Sequence, residues 1–369
     1  MPVMILFWTS LIIGLVYLAI QIWQLITLQR YRHSYLPEPE EWPEISILIA
    51  ARNEEDNMKQ CLDSLLELDY PADKIHIICG NDQSNDNTGL ILDEYATSYP
   101  QIKAVEIQDD NSGLKAKARV MAQLEAFAKG EFYLITDADI RVKPQWAKYM
   151  VRSMEKETGV CSGTTVVKGN GKWGKMQEMD WAYFMGMLNI ISYNGVPATA
   201  VGNNMIVRAE AYHQVGGYRG IQFSITEDYK LYSEICKKGW KWNNIMQKEV
   251  TAYSAPVFGI GTLLHQRKRW LSGGRELPWY WWLLFGVFGL FYFLIPALIF
   301  IQPITGLIIW TMKWALQTIL IAGIYRLIDE PKPGLLNFLV YEIFITANTI
   351  FTAIFALLPL KTNWKNRHY

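Results

Sequence analysis

Cysteine is scarce and scattered. Cys61, Cys79, Cys161 and Cys236 form no CxxC pair, so neither a disulfide framework nor a zinc site has its usual clustering. The pattern reads as four free, mostly buried thiols in a reducing compartment. Excess charge of either sign is also missing. The 35 basic residues balance 35 acidic ones, which removes the global electrostatic case for a nucleic-acid partner. The one GxGxxG, GNGKWG at residues 169–174, has no acidic residue about 20 positions on, and no GxxxxGK[ST] occurs, which argues against a dinucleotide oxidoreductase and a P-loop NTPase. Internal repeats and low-complexity tracts are absent. Charged residues make up only 19% of the chain, against 51% hydrophobic and 14% aromatic, with 15 Trp and 20 Tyr. Such a chain has the apolar content to fold and is not disordered. Its mean hydropathy of +0.05 averages two different compositions.

Long apolar runs supply the first of them. Residues 4–28 carry no formal charge and suffice for a hydrocarbon core about 30 Å thick. No basic n-region precedes the run and no small-residue cleavage site follows, so it reads as a transmembrane helix rather than a signal peptide. Arg30 and Arg32 come directly after it, which places the N-terminus outside and the following chain in the cytoplasm. Three more span candidates lie at residues 279–301, 303–324 and 335–358. The first opens on WYWW, suited to an interfacial aromatic belt. The second carries Lys313, costly in lipid unless it snorkels or faces protein. Three C-terminal crossings would leave the tail outside, yet Lys361, Lys365 and Arg367 favour the cytoplasm. Either the Lys313 segment is interfacial or re-entrant, or the tail breaks the charge rule. The predicted organisation is an N-terminal transmembrane helix (4–28), a cytoplasmic catalytic domain (33–275), a membrane segment with two to three helices (279–358) and a basic tail (359–369). This is an integral protein of the cell or inner membrane.

Between the runs the composition is that of a soluble domain. Residues 44–51 (EISILIAA) form a continuous apolar run, as expected of a strand buried on both faces. The spacing then predicts a helix over 58–68, a strand over 75–79, a helix over 89–98, a strand over 103–107, a helix over 115–129 and a strand over 132–136. Strands alternating with helices imply βαβ units and a mainly parallel sheet. Ligands of such sheets sit at the carboxyl ends of the strands, which gathers the polar residues after strands one, two and four on one edge.

Carboxylates are concentrated at that edge. Asp137 and Asp139 flank an alanine just past the fourth strand, where residues i and i+2 of an extended chain point the same way. Two such carboxylates suit a hard divalent cation that keeps waters and takes phosphate oxygens, although a helix-capping loop pair is the plainer alternative. Asp82 and Asp86, in the turn-rich loop NDQSNDNT, and Glu54, after the first strand, reach the same edge. Asx turns and N-capping are their ordinary roles. Lys115 and Lys117 either offset phosphate charge or simply solvate a helix. Farther on come Gly202-Asn203-Asn204, Thr226-Glu227-Asp228 and Gln266-Arg267-Lys268-Arg269-Trp270. A Glu-Asp pair commonly marks a helix N-terminus, and a basic run with Trp commonly anchors at a membrane face.

The order of these motifs resembles the family 2 glycosyltransferases. It is carried by ISILIAARNEE, NDQSND, KAKARVMAQLEAFAKGE, LITDAD, GNNMIVRAEAYHQVGGY, TEDYKL and QRKRW, across residues of about 44–270. The last two motifs resemble those of ceramide glucosyltransferase and of the cellulose, chitin and hyaluronan synthases. The resemblance implies a GT-A (nucleotide-diphospho-sugar transferase) domain, α/β with a mainly parallel sheet, and transmembrane helices at both ends. It implies Ala50, Arg52, Glu54, Asp82, Lys117, Asp137 and Asn203 at the UDP-sugar, with Asp82 as the nucleotide-binding aspartate. Asn81 departs from the family's leading acid in that loop. Asp137 and Asp139 are implied to hold Mg²⁺ or Mn²⁺. Asp228 is implied as the general base, with Glu227 beside it, and Gln266, Arg269 and Trp270 are implied to close on the diphosphate and the acceptor. Such enzymes invert the anomeric centre, so an α-linked UDP-hexose gives a β-glycoside. The implied partners are a UDP-sugar, a membrane lipid or glycan acceptor and the bilayer, with no nucleic acid and with room for an oligomer.

QxxRW occurs both in polymer synthases and in enzymes that glycosylate a lipid once. A translocating synthase needs a polar channel, and Gln21, Gln24, Lys313 and Gln317 hardly line one. The favoured reading is a lipid acceptor. A processive β-polysaccharide synthase subunit is the alternative, and an inactive GT-A scaffold is a third reading that the retained carboxylates oppose.

Overall fold

The computed structural model describes residues 2–110, 112–359, 363–364 and 367–368. They divide into two compact units, one of residues 32–168 and 191–255, the other of residues 1–31, 169–190 and 256–369. The sequence reading assigned all of 33–275 to a single domain. The contacts instead group 169–190 and 256–275 with the apolar helices.

The strands in chain order are β1 (Ile45–Ala51), β2 (Ile75–Asn81), β3 (Ile102–Glu106), β4 (Phe132–Asp137), β5 (Thr158–Ser162), β6 (Thr165–Val167), β7 (Asn204–Arg208), β8 (Lys241–Asn244) and β9 (Ala252–Ser254). The helices are α1 (Pro2–Arg30), α2 (Met58–Leu66), α3 (Thr88–Ser98), α4 (Ala116–Leu124), α5 (Trp146–Val151), α6 (Gly171–Tyr193), α7 (Ala209–Gln214), α8 (Gly217–Gly220), α9 (Glu227–Lys237), α10 (Ile260–Gly273), α11 (Trp279–Ile301), α12 (Pro303–Leu327) and α13 (Leu335–Leu357).

In the first unit seven strands form one sheet, in the order β3-β2-β1-β4-β7-β5-β8. The neighbours β1–β2, β2–β3, β1–β4 and β5–β8 are parallel, and β7 runs antiparallel to both β4 and β5. The unbroken apolar run of β1 follows from cover on both faces. Ile45, Ile47, Ile49 and Ala51 pack in one core with Met58, Cys61, Leu62 and Leu65 of α2, and Leu48, pointing the other way, is buried as well. On that second face Gly80 admits α4, because a Cβ there would meet Val120 at 2.5 Å.

Register positions the functional edge. Ala50 of β1 pairs with Gly80 of β2 and with Asp137 of β4, so three strands end level. The reversed β7 pairs Asn204 with Thr136, which brings the segment entering β7, Gly202-Asn203, to the same edge. Three of the four thiols are buried and none is in a disulfide.

In the other unit, among the described residues, four helices are long and apolar enough to cross a membrane: α1, α11, α12 and α13. Their outer surfaces show Trp8, Ile12, Phe300, Ile304 and Ile343 exposed, as helices that meet lipid do. Small residues let the helices approach: a Cβ on Gly14 would lie 3.0 Å from Ile309, and one on Gly323 would lie 2.7 Å from Leu28. Lys313 neither snorkels nor faces lipid. It is fully buried, and its Nζ lies 2.6 and 2.7 Å from the two Glu342 oxygens of α13 and 4.7 Å from the Tyr292 ring centroid of α11. Lys361 and Lys365 of the basic tail lie outside the described residues.

Candidate functional site

The carboxyl ends of β1, β2 and β4 in the first unit carry the site. Beyond β2, Asp82 is buried, its N–H donating to the Ala51 carbonyl at 2.8 Å. Its carboxylate accepts from Arg119 Nη2 at 2.8 Å, and Arg119 also pairs with Asp109. Arg119 lies inside the KAKAR stretch of α4, where the sequence reading singled out only Lys115 and Lys117. Arg52 donates from Nη1 to the Asp82 carbonyl at 2.6 Å, so it fixes the loop. Glu54 is buried rather than solvated. It accepts from Asn57 Nδ2 at 2.8 Å, while its N–H donates to Thr88 Oγ1 at 2.8 Å.

The departure at position 81 has a physical reason. Asn81 Nδ2 donates to Glu106 Oε1 at 2.7 Å, whereas an aspartate would set two carboxylates against each other there. Asp86 is a turn residue. Its Oδ1 accepts from the Thr88 N–H and hydroxyl, and its Oδ2 accepts from the Glu55 N–H. Burial acts to raise its carboxyl, but these hydrogen bonds to the charged form outweigh it and hold the group below its ordinary range.

The DxD pair does not continue the strand. β4 ends at Asp137, and the Ile140 N–H closes a turn onto the Asp137 carbonyl at 3.1 Å. Ala138 points into the core while Asp137 and Asp139 stay half-exposed. Ser254 Oγ lies 3.4 Å from Asp139 Oδ2. Among the described residues no group of three or more His, Cys, Asp or Glu side chains is placed to hold a metal ion by itself. Two partly accessible carboxylates fit a hard cation that completes its shell with water and phosphate oxygens, and do not fit an all-protein cage.

Lys117 joins the motifs. Its Nζ lies 2.5 Å from Asp137 Oδ1 and 2.8 Å from the Gly202 carbonyl. Burial acts to lower its ammonium, but Asp137, Glu227 and Asp228 together hold it above the ordinary lysine value. The Gly202 N–H donates to Asp228 Oδ2 at 2.8 Å, and the Tyr229 N–H donates to Asp228 Oδ1 at 2.8 Å. A carboxylate has about four lone-pair sites, so Asp228 keeps acceptor capacity. Glu227 and Asp228 open α9 behind Thr226, where the helix dipole favours negative charge. Asn203 accepts through its carbonyl from Thr136 Oγ1 at 3.0 Å and through Oδ1 from Thr165 Oγ1 at 2.8 Å. Asn204 is fully buried and spends its amide on Trp146, Thr164 and Val250. Ala50, Asp82, Lys117, Asp137, Asn203, Glu227 and Asp228 therefore belong to this unit.

Gln266, Arg269 and Trp270 belong to the other unit, in α10, each partly exposed. The two basic residues between them are structural. Arg267 pairs with Asp180 of α6, which also accepts from Tyr341 Oη at 3.4 Å, and its guanidinium lies 4.5 Å from the Trp270 ring centroid. Trp270 also packs on Trp181, with centroids 5.0 Å apart. Lys268 is buried and donates to the Phe355 and Leu358 carbonyls at 3.3 and 2.6 Å, capping α13 with a cation.

A family model described as glycosyl transferase family 21 matches residues 6–369. A β-monoglucosyldiacylglycerol synthase of Synechocystis is 28% identical over 252 residues, 66% of this chain and 50% of that one. A poly-β-1,6-N-acetyl-D-glucosamine synthase of Staphylococcus epidermidis is 26% identical over 242 residues, 63% of this chain and 55% of that one. The chain thus spans about half the length of the curated relatives it matches. A mannosyltransferase of Pyrobaculum calidifontis, solved with GDP-Man and Mn²⁺, superposes with a TM-score of 0.58 at 18% identity, covering 94% of this chain and 99% of its own. That likeness supports the GT-A fold.

Proposed function

The chain belongs to glycosyl transferase family 21, and on that premise we propose that it is an inverting glycosyltransferase moving a hexose from a UDP-sugar to a membrane lipid, with a β-linked product. The observation that carries this reading is Lys117, whose ammonium touches both Asp137 and the Gly202 carbonyl while the Gly202 N–H holds Asp228. Diphosphate-binding and base motifs, 91 residues apart between positions 137 and 228, thereby meet on one edge of one unit.

Asp82, oriented by Arg119, serves the nucleotide at the end of β2. Ala50 leaves room at the end of β1, and Arg52 and Glu54 shape the loop that faces the uridine. Lys117 offsets charge on the leaving diphosphate. Asp228 accepts the proton of the attacking acceptor hydroxyl through a lone pair that its two backbone donors leave open. Attack opposite to the leaving diphosphate inverts the anomeric carbon, and no protein nucleophile is required. Asp137 and Asp139 would hold Mg²⁺ or Mn²⁺, which when bound neutralises the diphosphate further. Arg269 brings a planar fork suited to phosphate, and Gln266 and Trp270 serve the acceptor.

A lipid acceptor is supported by the apolar helices. Gln21, Gln24, Lys313 and Gln317, the few polar residues available to a channel, are all buried within their unit, and Lys313 is neutralised by Glu342. The N-terminal helix followed by Arg30 and Arg32 supports a catalytic unit on the cytoplasmic side. A polymer synthase is the second reading, supported by the relative named for poly-β-1,6-N-acetyl-D-glucosamine synthesis. Mass spectrometry of the lipids made by the purified chain with a panel of UDP-sugars and a membrane extract tests both. A lipid carrying one hexose is the expected product. A ladder of oligomers would favour the polymer reading, and no UDP release with any donor would refute both.

A further inference from the structure

α13 is as long and apolar as a membrane span, but its contacts do not follow the course of one. The neighbouring helices of its unit set the reference. α1 and α12 run side by side in the same direction, since Gly14 packs on Ile309 and Leu28 on Gly323. α11 runs the opposite way, with Phe288 and Phe291 on Tyr17 at centroid distances of 4.6 and 4.1 Å and Ile295 beside Gly14. The end of α1, the start of α11 and the end of α12 therefore share one side, and Gln302, between α11 and α12, marks the other.

A crossing α13 would start level with the end of α12 and finish beside Gln302. It does neither. Trp314, midway along α12, donates from Nε1 to the Phe338 carbonyl in the first turn of α13 at 3.3 Å, and Lys313 holds Glu342 one turn farther on. The last turn of α13 then meets α10. Lys268 donates to the Phe355 and Leu358 carbonyls, and the His265 ring lies 5.0 Å from that of Phe355. α10 belongs to the side where α11 starts, because one 3₁₀ turn (Gly274–Glu276) and two further residues join them. Tyr341 is tied to the same side. It shares Asp180 with Arg267 of α10, while Glu178, two residues earlier on α6, accepts from Tyr325 near the end of α12 at 3.0 Å. Both ends of α13 thus avoid the side of Gln302, although its 23 residues would reach about 34 Å.

The faces of the helix agree with this course. Phe338, Tyr341, Glu342 and Ile345 are buried, whereas Leu336, Leu339, Ile343, Phe351, Ile354 and Leu357 are exposed. The exposed set recurs at helical spacing and forms one apolar stripe, as on a helix lying in the plane of a leaflet. Charge agrees as well. Lys361, Lys365 and Arg367 follow α13. A crossing would put them opposite Arg30 and Arg32, and a return puts all five on one side, as the positive-inside rule asks.

We propose that α13 does not cross the bilayer: it lies obliquely in the leaflet on the side where α11 begins, its apolar stripe against the acyl chains, and emerges on that same side. The chain then crosses three times, through α1, α11 and α12. α10, fastened to the end of α13 by Lys268, lies at the head-group level of that leaflet with Gln266, Arg269 and Trp270. This placement is independent of the UDP-sugar reading.

The test uses the full chain in the membrane of intact bacterial spheroplasts. Glu276→Cys, Gln302→Cys and Pro359→Cys are treated with a membrane-impermeant maleimide before and after permeabilisation, and mass spectrometry reads the modified peptide. All three positions are exposed, so melting temperatures in detergent should match the wild type. Pro359→Cys should react together with Glu276→Cys, only after permeabilisation, and Gln302→Cys should react before it. An epitope tag following Tyr369, probed with antibody under the same two conditions, reads the same side with α13 unaltered and should be detected only after permeabilisation. Reaction of Pro359→Cys on sealed spheroplasts together with Gln302→Cys, with the tag detected there too, would overturn the proposal by making α13 a span. A Pro359→Cys that reacts under neither condition would overturn it by placing the end of α13 in the hydrocarbon. Glu276→Cys and Gln302→Cys reacting alike would remove the crossing of α11 on which it is built.

Discussion

Gly202 and Asp228 are bound to each other across 26 residues of chain: the Gly202 N–H donates to Asp228 Oδ2 at 2.8 Å. The approach is close enough to require glycine, since a Cβ at position 202 would come within 2.7 Å of the Asp228 Cβ. Gly202→Ala must therefore push the proposed base aside. A misplacement of about 1 Å at a reacting group costs on the order of 10²-fold in rate, so transfer should fall between tenfold and a hundredfold with UDP affinity unchanged. Transfer at near-normal rate by this variant, measured as UDP release, would remove Asp228 from the reaction.

Arg119 is the second expectation. It pairs with the buried carboxylate of Asp82, and breaking a buried pair by removing one partner costs about 3–5 kcal/mol. Arg119→Met should lower the melting temperature and weaken UDP binding at least tenfold, whereas Arg119→Lys should recover part of both. Unchanged UDP affinity in the methionine variant would show that Asp82 does not serve the nucleotide.

The DxD turn gives a third. Asp139→Asn replaces one of the two carboxylates by a neutral amide, and the loss of one such charged interaction in the transition state costs roughly 10²–10³ in rate. EDTA should stop the wild type, with Mn²⁺ or Mg²⁺ restoring it. Full activity in EDTA would contradict the metal assignment.

Lys313 and Glu342 provide a test of the apolar unit. Glu342→Gln leaves the ammonium buried without its counter-charge and should lower the melting temperature in detergent substantially. Lys313→Met combined with Glu342→Leu removes both charges and should recover most of the loss, because a buried pair is often replaceable by apolar groups. A double variant as unstable as the single one would mean that the pair is needed for more than mutual neutralisation.

Much of this was legible in the sequence because local signals agreed with the tertiary outcome. The continuous run at Ile45–Ala51 is a strand covered on both faces, and the strand-helix alternation up to Asp137 gives the parallel half of the sheet. All four apolar runs are helices. The second half was not legible. β5, β7 and β8 are short, and β7 is reversed through partners that come from elsewhere in the chain, which periodicity does not reveal. α6 carries no motif that the sequence reading took up, yet Glu178 and Asp180 hold Tyr325, Tyr341 and Arg267 of the apolar unit. Arg119 escaped because a cation inside KAKAR looks like any solvated helix residue, and its role depends on a carboxylate 37 positions away. Glu342 escaped for the same reason, since its partner Lys313 lies 29 positions back on another helix.

The measurement that bears most directly on the account compares donor binding with transfer in Asp228→Asn. The amide keeps the shape but cannot take the acceptor proton. With Asp137, Lys117 and Asp82 untouched, the variant should bind UDP-sugar as the wild type does, while transfer to the lipid acceptor falls by at least about 10², the usual contribution of a general base. Transfer at the wild-type rate, or a loss of binding as large as the loss of transfer, would contradict the assignment of Asp228 as the base on this edge.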